Sequence, residues 1–192
     1  VTEGAPDADP TVKEFLGIIL EETDRLNRVV GSFLDYARPH AGNPVPLDIN
    51  GAVRRSVQIL SSQKSDEHVD LRLELAESLP RASIDPEKLR QVLMNLVQNA
   101  IQAMNGRGRV TITTNSRRAP RSGWVTSPPS GNSGRLPPDD AEVVEISVAD
   151  TGPGISQKVL KNLFVPFFTT KEQGTGLGLA ISQSIVQNAG GS

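Results

Sequence analysis

The chain has 192 residues, 36% of them hydrophobic and 22% charged, which is enough for one or two packed domains and too apolar for a wholly disordered polymer. Lys and Arg number 20 against 22 Asp and Glu, a net charge of -2, so the basic footprint of a duplex-binding surface is lacking and nucleic acid is excluded as a partner. The absence of cysteine excludes disulfides, thiolate metal sites and a cysteine nucleophile, and a cytoplasmic location fits.

The opening stretch, Val1 to Pro10, is acidic and contains proline, unlike a secretory signal. No apolar run approaches the roughly 20 residues that span a bilayer, so this segment is expected to make no membrane contact and any anchor would lie elsewhere in a parent protein. The first residue is Val rather than Met, and the chain reads as a piece of something longer.

From Val12 to Ala37, Val12, Leu16, Ile19, Thr23, Leu26, Val30, Phe33 and Ala37 keep a four-three spacing, the seam of a helix in a coiled coil or bundle. Glu21 with Arg25 and Asp24 with Arg28 are i,i+4 pairs for its outer face. Such a helix cannot bury its stripe alone and needs a neighbouring helix or a second copy of the chain. Pro39, Pro44 and Pro46 end it and place a linker at 40–46.

Beyond the linker, the pattern predicts an extended piece at 45–49, a helix over 50–63, strands at 69–75 and 81–84, and a strong helix from Asp85-Pro86 to Met104. That helix buries Leu89, Val92, Leu93, Leu96, Val97, Ala100, Ile101 and Met104, and Asn105-Gly106 stops it. Alternation at 110–115 and 143–149 predicts two antiparallel strands. Between them, residues 116–140 hold five prolines, three glycines and the single Trp, a composition that reads as a disordered insertion. A last helix is expected over 180–188.

Four features of the second half carry chemistry. Asn95 and Asn99 lie one helical turn apart, and each amide oxygen can ligate a hard cation such as nucleotide-bound Mg²⁺. Asp150-Thr151-Gly152-Pro153-Gly154-Ile155 follows a strand, leaving a carboxylate at its end to accept a hydrogen bond from an exocyclic amine such as that of adenine. Phe164 to Lys171 crowds three phenylalanines beside Thr170 and Lys171; it reads as the anchor of a mobile segment, with the lysine a point charge for phosphate. Gly174-Thr175-Gly176-Leu177-Gly178-Leu179 opens a helix, whose free amides form an anion site. It is neither a P-loop nor a Rossmann fingerprint.

Together, in this order, Asn95 to Ala103, Asp150 to Gly154, Phe164 to Lys171 and Gly174 to Leu179 resemble the N, first glycine-rich, phenylalanine and second glycine-rich boxes of bacterial two-component sensor histidine kinases. The segment Thr169 to Leu179 resembles the nitrogen-regulation type. Residues 1–39 are similar to the second helix of the dimerisation and phosphoacceptor hairpin. The resemblance implies an α+β fold in which this helix precedes a Bergerat ATP-binding sandwich with a mixed sheet over 47–192. It implies a homodimer through the 12–37 helix, ATP and Mg²⁺ as cofactors, and the receiver domain of a response regulator as partner.

By the same resemblance Asp150 meets adenine and Asn99 meets Mg²⁺ with Asn95 nearby. Gly152, Gly154, Ile155, Gly174, Thr175, Gly176, Leu177 and Gly178 line the nucleotide, and Phe164, Thr170 and Lys171 belong to a lid closing over it. Related ATPases carry glutamate where Asn95 stands, and an amide cannot take a proton, so hydrolysis is expected to be slow. The phosphoacceptor pattern is missing: His40 sits in the Pro-rich linker and His68 before a strand. The acceptor helix is expected before Val1 and further strands after Ser192. A non-catalytic nucleotide-binding scaffold and a slow ATPase of the same fold remain the alternatives.

Overall fold

The computed structural model describes residues 10–37, 42–62, 68–119, 141–171 and 174–191. Helix α1 (Pro10–Ala37) carries the expected seam and leaves it open. Leu16, Ile19, Leu26 and Val30 are each more than half exposed, and so are Phe15, Ile18 and Leu20, which lie off the seam. The apolar surface is therefore wider than a four-three stripe. Thr23, the polar break in the seam, donates its hydroxyl to the Ile19 carbonyl at 2.7 Å, satisfying itself within the helix. The side chains of Arg25 and Arg28, and with them both expected charge pairs, lie outside the described residues.

The linker is shorter than its prolines suggest. Val45 and Pro46 belong to β1 (Val45–Leu47), which pairs antiparallel with β3 (Ala82–Ile84) in a sheet of two strands. Proline is tolerated there because an edge strand has one side without ladder bonds. Helix α2 (Ile49–Ser62) follows at once, its first turn tied by Asp48 Oδ1, which accepts the Gly51 amide at 3.1 Å.

The main sheet has three strands in the order β2-β4-β5: β2 (His68–Leu75) runs parallel to β4 (Arg107–Ala119), and β4 runs antiparallel to β5 (Ala141–Asp150). The mixed sheet and the antiparallel pair are as expected, but both strands are longer. Residues 116–119, read from composition as the start of the insertion, pair in register with 141–144, because ladder bonds and the Arg117–Glu145 ion pair at 2.7 Å outweigh the polar composition. Residues 120–140 lie outside the described residues.

Helix α3 (Pro86–Ala103) starts where local chemistry dictates: Asp85 accepts the amides of Glu87 at 2.8 Å and Lys88 at 3.3 Å, with Pro86 in the first turn. It stops at Asn105 and Gly106, both at positive φ. One side packs on the sheet, where Leu93, Val97, Ala100 and Ile101 join Val110 and Ile112 in the main core. Another side, through Val92, meets Leu177, Ile181 and Ile185 of the segment that forms α5 (Gly178–Asn188). A short helix, α4 (Gln157–Leu160), capped by Ser156, lies between. Among the described residues no helix is long and apolar enough to cross a membrane.

Candidate functional site

The polar edge of α3 is the centre of the site. Asn95 donates its amide to Ser182 Oγ on α5 at 2.8 Å, and its Oδ1 faces Gly178, where any Cβ would collide with it. Asn99 turns its amide nitrogen toward that same oxygen at 3.4 Å. The Asn99 oxygen consequently points away from Asn95. There it accepts the Lys171 ammonium at 2.7 Å, and Gln102 Oε1 accepts it at 2.6 Å. Partial desolvation lowers the Lys171 pKa below its ordinary value.

At the far end of β5, Asp150 is exposed and its Oδ1 accepts the Gly152 amide at 2.8 Å, closing a short Asx turn. Thr151 anchors this turn: its hydroxyl oxygen accepts the Arg109 amide at 3.0 Å, its own amide donates to the Arg109 carbonyl at 3.1 Å, and its hydroxyl lies 3.4 Å from Met104 Sδ at the end of α3. Gly152 packs beside Met104 and the Asp150 carboxylate, so a side chain there would push the turn off α3. Gly154 is at φ 75 in open space; conformation, not room, selects glycine there. Ile155 follows, exposed.

The segment 155–177 crosses from this turn back to α3. Phe164, Val165 and Phe167 are about half exposed. Phe167 stands at φ 66, its amide donating to the Gly176 carbonyl at 3.0 Å. Gly176, also at φ 66, presses on the Phe167 backbone so closely that a Cβ has no place. The Phe167 ring stacks on Phe33 of α1, centroids 6.5 Å apart. Thr169 Oγ1 accepts the Lys171 amide at 3.1 Å, and the Gly174 amide returns to the Lys171 carbonyl at 3.2 Å. This turn presents Lys171 to α3. Thr170 is exposed beside it.

The structure brings Asn95, Asn99, Lys171 and Gly178 together, and puts Asp150, Gly152 and Gly154 in a second cluster beyond the end of α3. Leu177 differs from its expected place lining a nucleotide: its side chain is fully buried among Val92, Ile181 and Ile185, so only its backbone can face a ligand. Its amide approaches Thr175 Oγ1 at 3.4 Å. No side chain caps the start of α5, which leaves its first amides available to an anion. Sequence reasoning missed Gln102, Thr151 and Ser182. Gln102 was within reach, since it lies three residues after Asn99 on the same edge of the helix.

The chemistry of the donors fits a hard cation. Among the described residues no cluster of three His, Cys, Asp or Glu is present, but the Asn99 and Gln102 oxygens already converge on one positive charge, the lysine ammonium. Amide oxygens of this kind, few in number, suit a cation that keeps several waters. An open groove of about 520 Å³ runs along α3 from Glu87 to Gln98 and reaches this cluster at Asn95.

A family profile described as "Histidine kinase-, DNA gyrase B-, and HSP90-like ATPase" matches residues 84–192, from the cap of α3 onward. The chain belongs to this family. As an ATPase-type domain, it takes ATP as its nucleotide. It is 35% identical over 174 residues to the sensor histidine kinase ZraS of Escherichia coli (strain K12), covering 91% of the chain and 32% of ZraS. It is 34% identical over 183 residues to the sensory histidine kinase/phosphatase NtrB of Klebsiella oxytoca, covering 95% of the chain and 48% of NtrB. The chain thus spans 32% of one of these relatives and 48% of the other.

The catalytic domain of the histidine kinase ThkA is similar in structure, with a TM-score of 0.56 and 28% identity over 76% of this chain and 81% of that one. ThkA in complex with the response regulator protein TrrA matches with a TM-score of 0.66 and 26% identity over 96% of this chain and 47% of that one. The α+β architecture read from the sequence is therefore that of a histidine kinase catalytic domain.

Proposed function

We propose that the chain is the ATP-binding part of a two-component sensor histidine kinase, which transfers the γ-phosphoryl group of Mg-ATP to a histidine and from there to an aspartate of a response regulator. The observation that carries this reading is the meeting of Asn99 on α3 with Lys171 at 2.7 Å. It joins two of the four boxes at one point, beside the uncapped start of α5. The family membership and the resemblance to ZraS and NtrB support it.

In this reading Asp150 accepts the adenine amine, the start of α5 and Lys171 receive phosphates, and Asn99 holds Mg²⁺ with Asn95 behind it. The cation, when bound, neutralises charge on the phosphates. Asn95 supports transfer over hydrolysis: its amide donates to Ser182 and has no basic site with which to activate water. The exposed apolar surface of α1 supports a homodimer, because a helix of this kind buries itself only against others. The ThkA–TrrA complex supports a receiver domain as partner.

His68 begins β2 and is exposed, so it is not presented by a helix as an in-line nucleophile; His40 lies outside the described residues. Incubation with labelled ATP should leave this chain unlabelled, whereas the longer protein should acquire an acid-labile, base-stable label. Changing Leu26 or Val30 to Glu should lower that label and give a monomer by light scattering. A longer protein that binds ATP but stays unlabelled would instead identify a non-catalytic scaffold.

A further inference from the structure

Lys171 occupies a position that two charges cannot share. Its ammonium sits between Asn99 Oδ1 at 2.7 Å and Gln102 Oε1 at 2.6 Å, and a hard cation takes an oxygen ligand at about 2.0–2.1 Å. A cation on that oxygen would stand within a few ångströms of the ammonium, where like charges repel. Neither partner is placed by chance. The Asn99 oxygen is aimed outward by a relay, Ser182 accepting from Asn95 and Asn95 from Asn99. Lys171 is aimed inward by the turn that Thr169 Oγ1 and the Gly174 amide close around its backbone.

We propose that Lys171 is a built-in counter-cation that competes with the divalent cation of a bound nucleotide for Asn99 Oδ1, and that Gln102 is the positioning residue that sets the balance. With Lys171 on α3, the two amide oxygens are neutralised and the lid turn is held down. When the divalent cation takes Asn99, Lys171 is expelled from both oxygens and becomes available to the phosphates. Opening the cation site and delivering the lysine are then one movement. The inference rests on the Mg-ATP reading above and adds a role for Gln102, whose side-chain oxygen accepts from the lysine, that the reading of the boxes does not assign.

The test is calorimetric titration of ATP into the full 192-residue chain, with Mg²⁺ and with chelator, for the parent, Gln102→Leu, Lys171→Met and the double variant. Gln102 is exposed, so its replacement leaves the core untouched. Gln102→Leu weakens only the arrangement with Lys171 on α3, so it should tighten Mg-ATP binding about three- to tenfold, the worth of one exposed hydrogen bond whose charge is screened by solvent. The gain should vanish in the Lys171→Met background, because it acts through the lysine.

Unchanged or weaker Mg-ATP binding by Gln102→Leu, or an equal gain in both backgrounds, overturns the competition while leaving the Mg-ATP reading intact. A parent chain whose ATP affinity is the same with Mg²⁺ and with chelator removes the Mg²⁺ reading itself, and the competition with it.

Discussion

The wall of the site and its lid are built by opposite means. The wall, α3 against β4, rests on side chains with almost no exposure: Leu93, Val97, Val110 and Ile112 are each at 2% or less, and each fully buried aliphatic chain contributes roughly 1.5–3 kcal/mol. The segment from Ile155 to Lys171, which carries the proposed lid residues Phe164, Thr170 and Lys171, leaves Ile155, Phe164, Val165 and Phe167 about half in water. It is held instead by single polar contacts, by the paired positive φ angles of Phe167 and Gly176, and by one ring stacked on α1. Core packing fixes where Asn99 sits, whereas individually weak contacts decide whether Lys171 is beside it. An element held that way can be moved by a ligand without unfolding what it closes upon.

The comparison breaks most sharply on a core truncation. Leu93→Ala should cost about 2–5 kcal/mol of global stability, read as a lowered midpoint in urea. Gly176→Ala should instead act on the lid: a non-glycine residue at this φ, driven into the Phe167 backbone, costs about 1–3 kcal/mol. Mg-ATP affinity should then fall by at least about fivefold, with the urea midpoint changed far less than by Leu93→Ala. Equal losses of midpoint would mean that lid and wall unfold as one unit.

A smaller effect is expected at Asp150, which is anchored to the wall, exposed, and proposed to meet the adenine. Asp150→Asn replaces a charge-assisted bond worth about 1.5–3 kcal/mol by a neutral one worth about 1, so the preference for ATP over GTP should shrink severalfold in a competition titration. Equal affinity of the parent for the two nucleotides would refute Asp150 as the adenine contact.

The smallest expected change is in the cap of α3. Asp85→Ala should cost about 1 kcal/mol. The Asn43 amide, donating at 2.7 Å, and then the amides of Lys88 and Glu87 hold the Asp85 carboxyl below its ordinary 3.8. A carboxylate lowered on folding stabilises above its unfolded value and loses that contribution as pH falls through the folded one. The gap between parent and variant should be full at pH 7 and close below about pH 3.8, as urea melts across that range would show.

What was legible in the sequence follows the same division. The start of α3 could be read because Asp85 and Pro86 act on their own neighbours, and its stop because Asn105-Gly106 is a local left-handed signal. The strands were placed by alternation but drawn too short at 116–119, where cross-strand pairing overrides composition. The pairing of β3 with β1 joins segments some 37 residues apart (Pro46 to Ser83), and no local pattern encodes it. In the site, the amides, the aspartate and the glycines were visible as residue types. That Leu177 turns into the core, that Ser182 orients Asn95 and that Gln102 shares Lys171 with Asn99 are tertiary facts, decided by how α5 and the lid meet α3.

The length of the β4–β5 ladder has a practical consequence. Its ten register pairs run from Val110 opposite Asp150 to Ala119 opposite Ala141, and at about 3.4 Å per residue they put roughly 30 Å between the Asp150 end and the last described pair. At that point the two strands stand only about 5 Å apart, so a guest sequence grafted between them enters and leaves through a single narrow doorway. A fluorescent reporter inserted there would sit remote from Asp150, Asn99 and Lys171 while remaining bolted to the same sheet. It offers a fixed vantage from which energy transfer to a dye on the lid could time the release of Lys171.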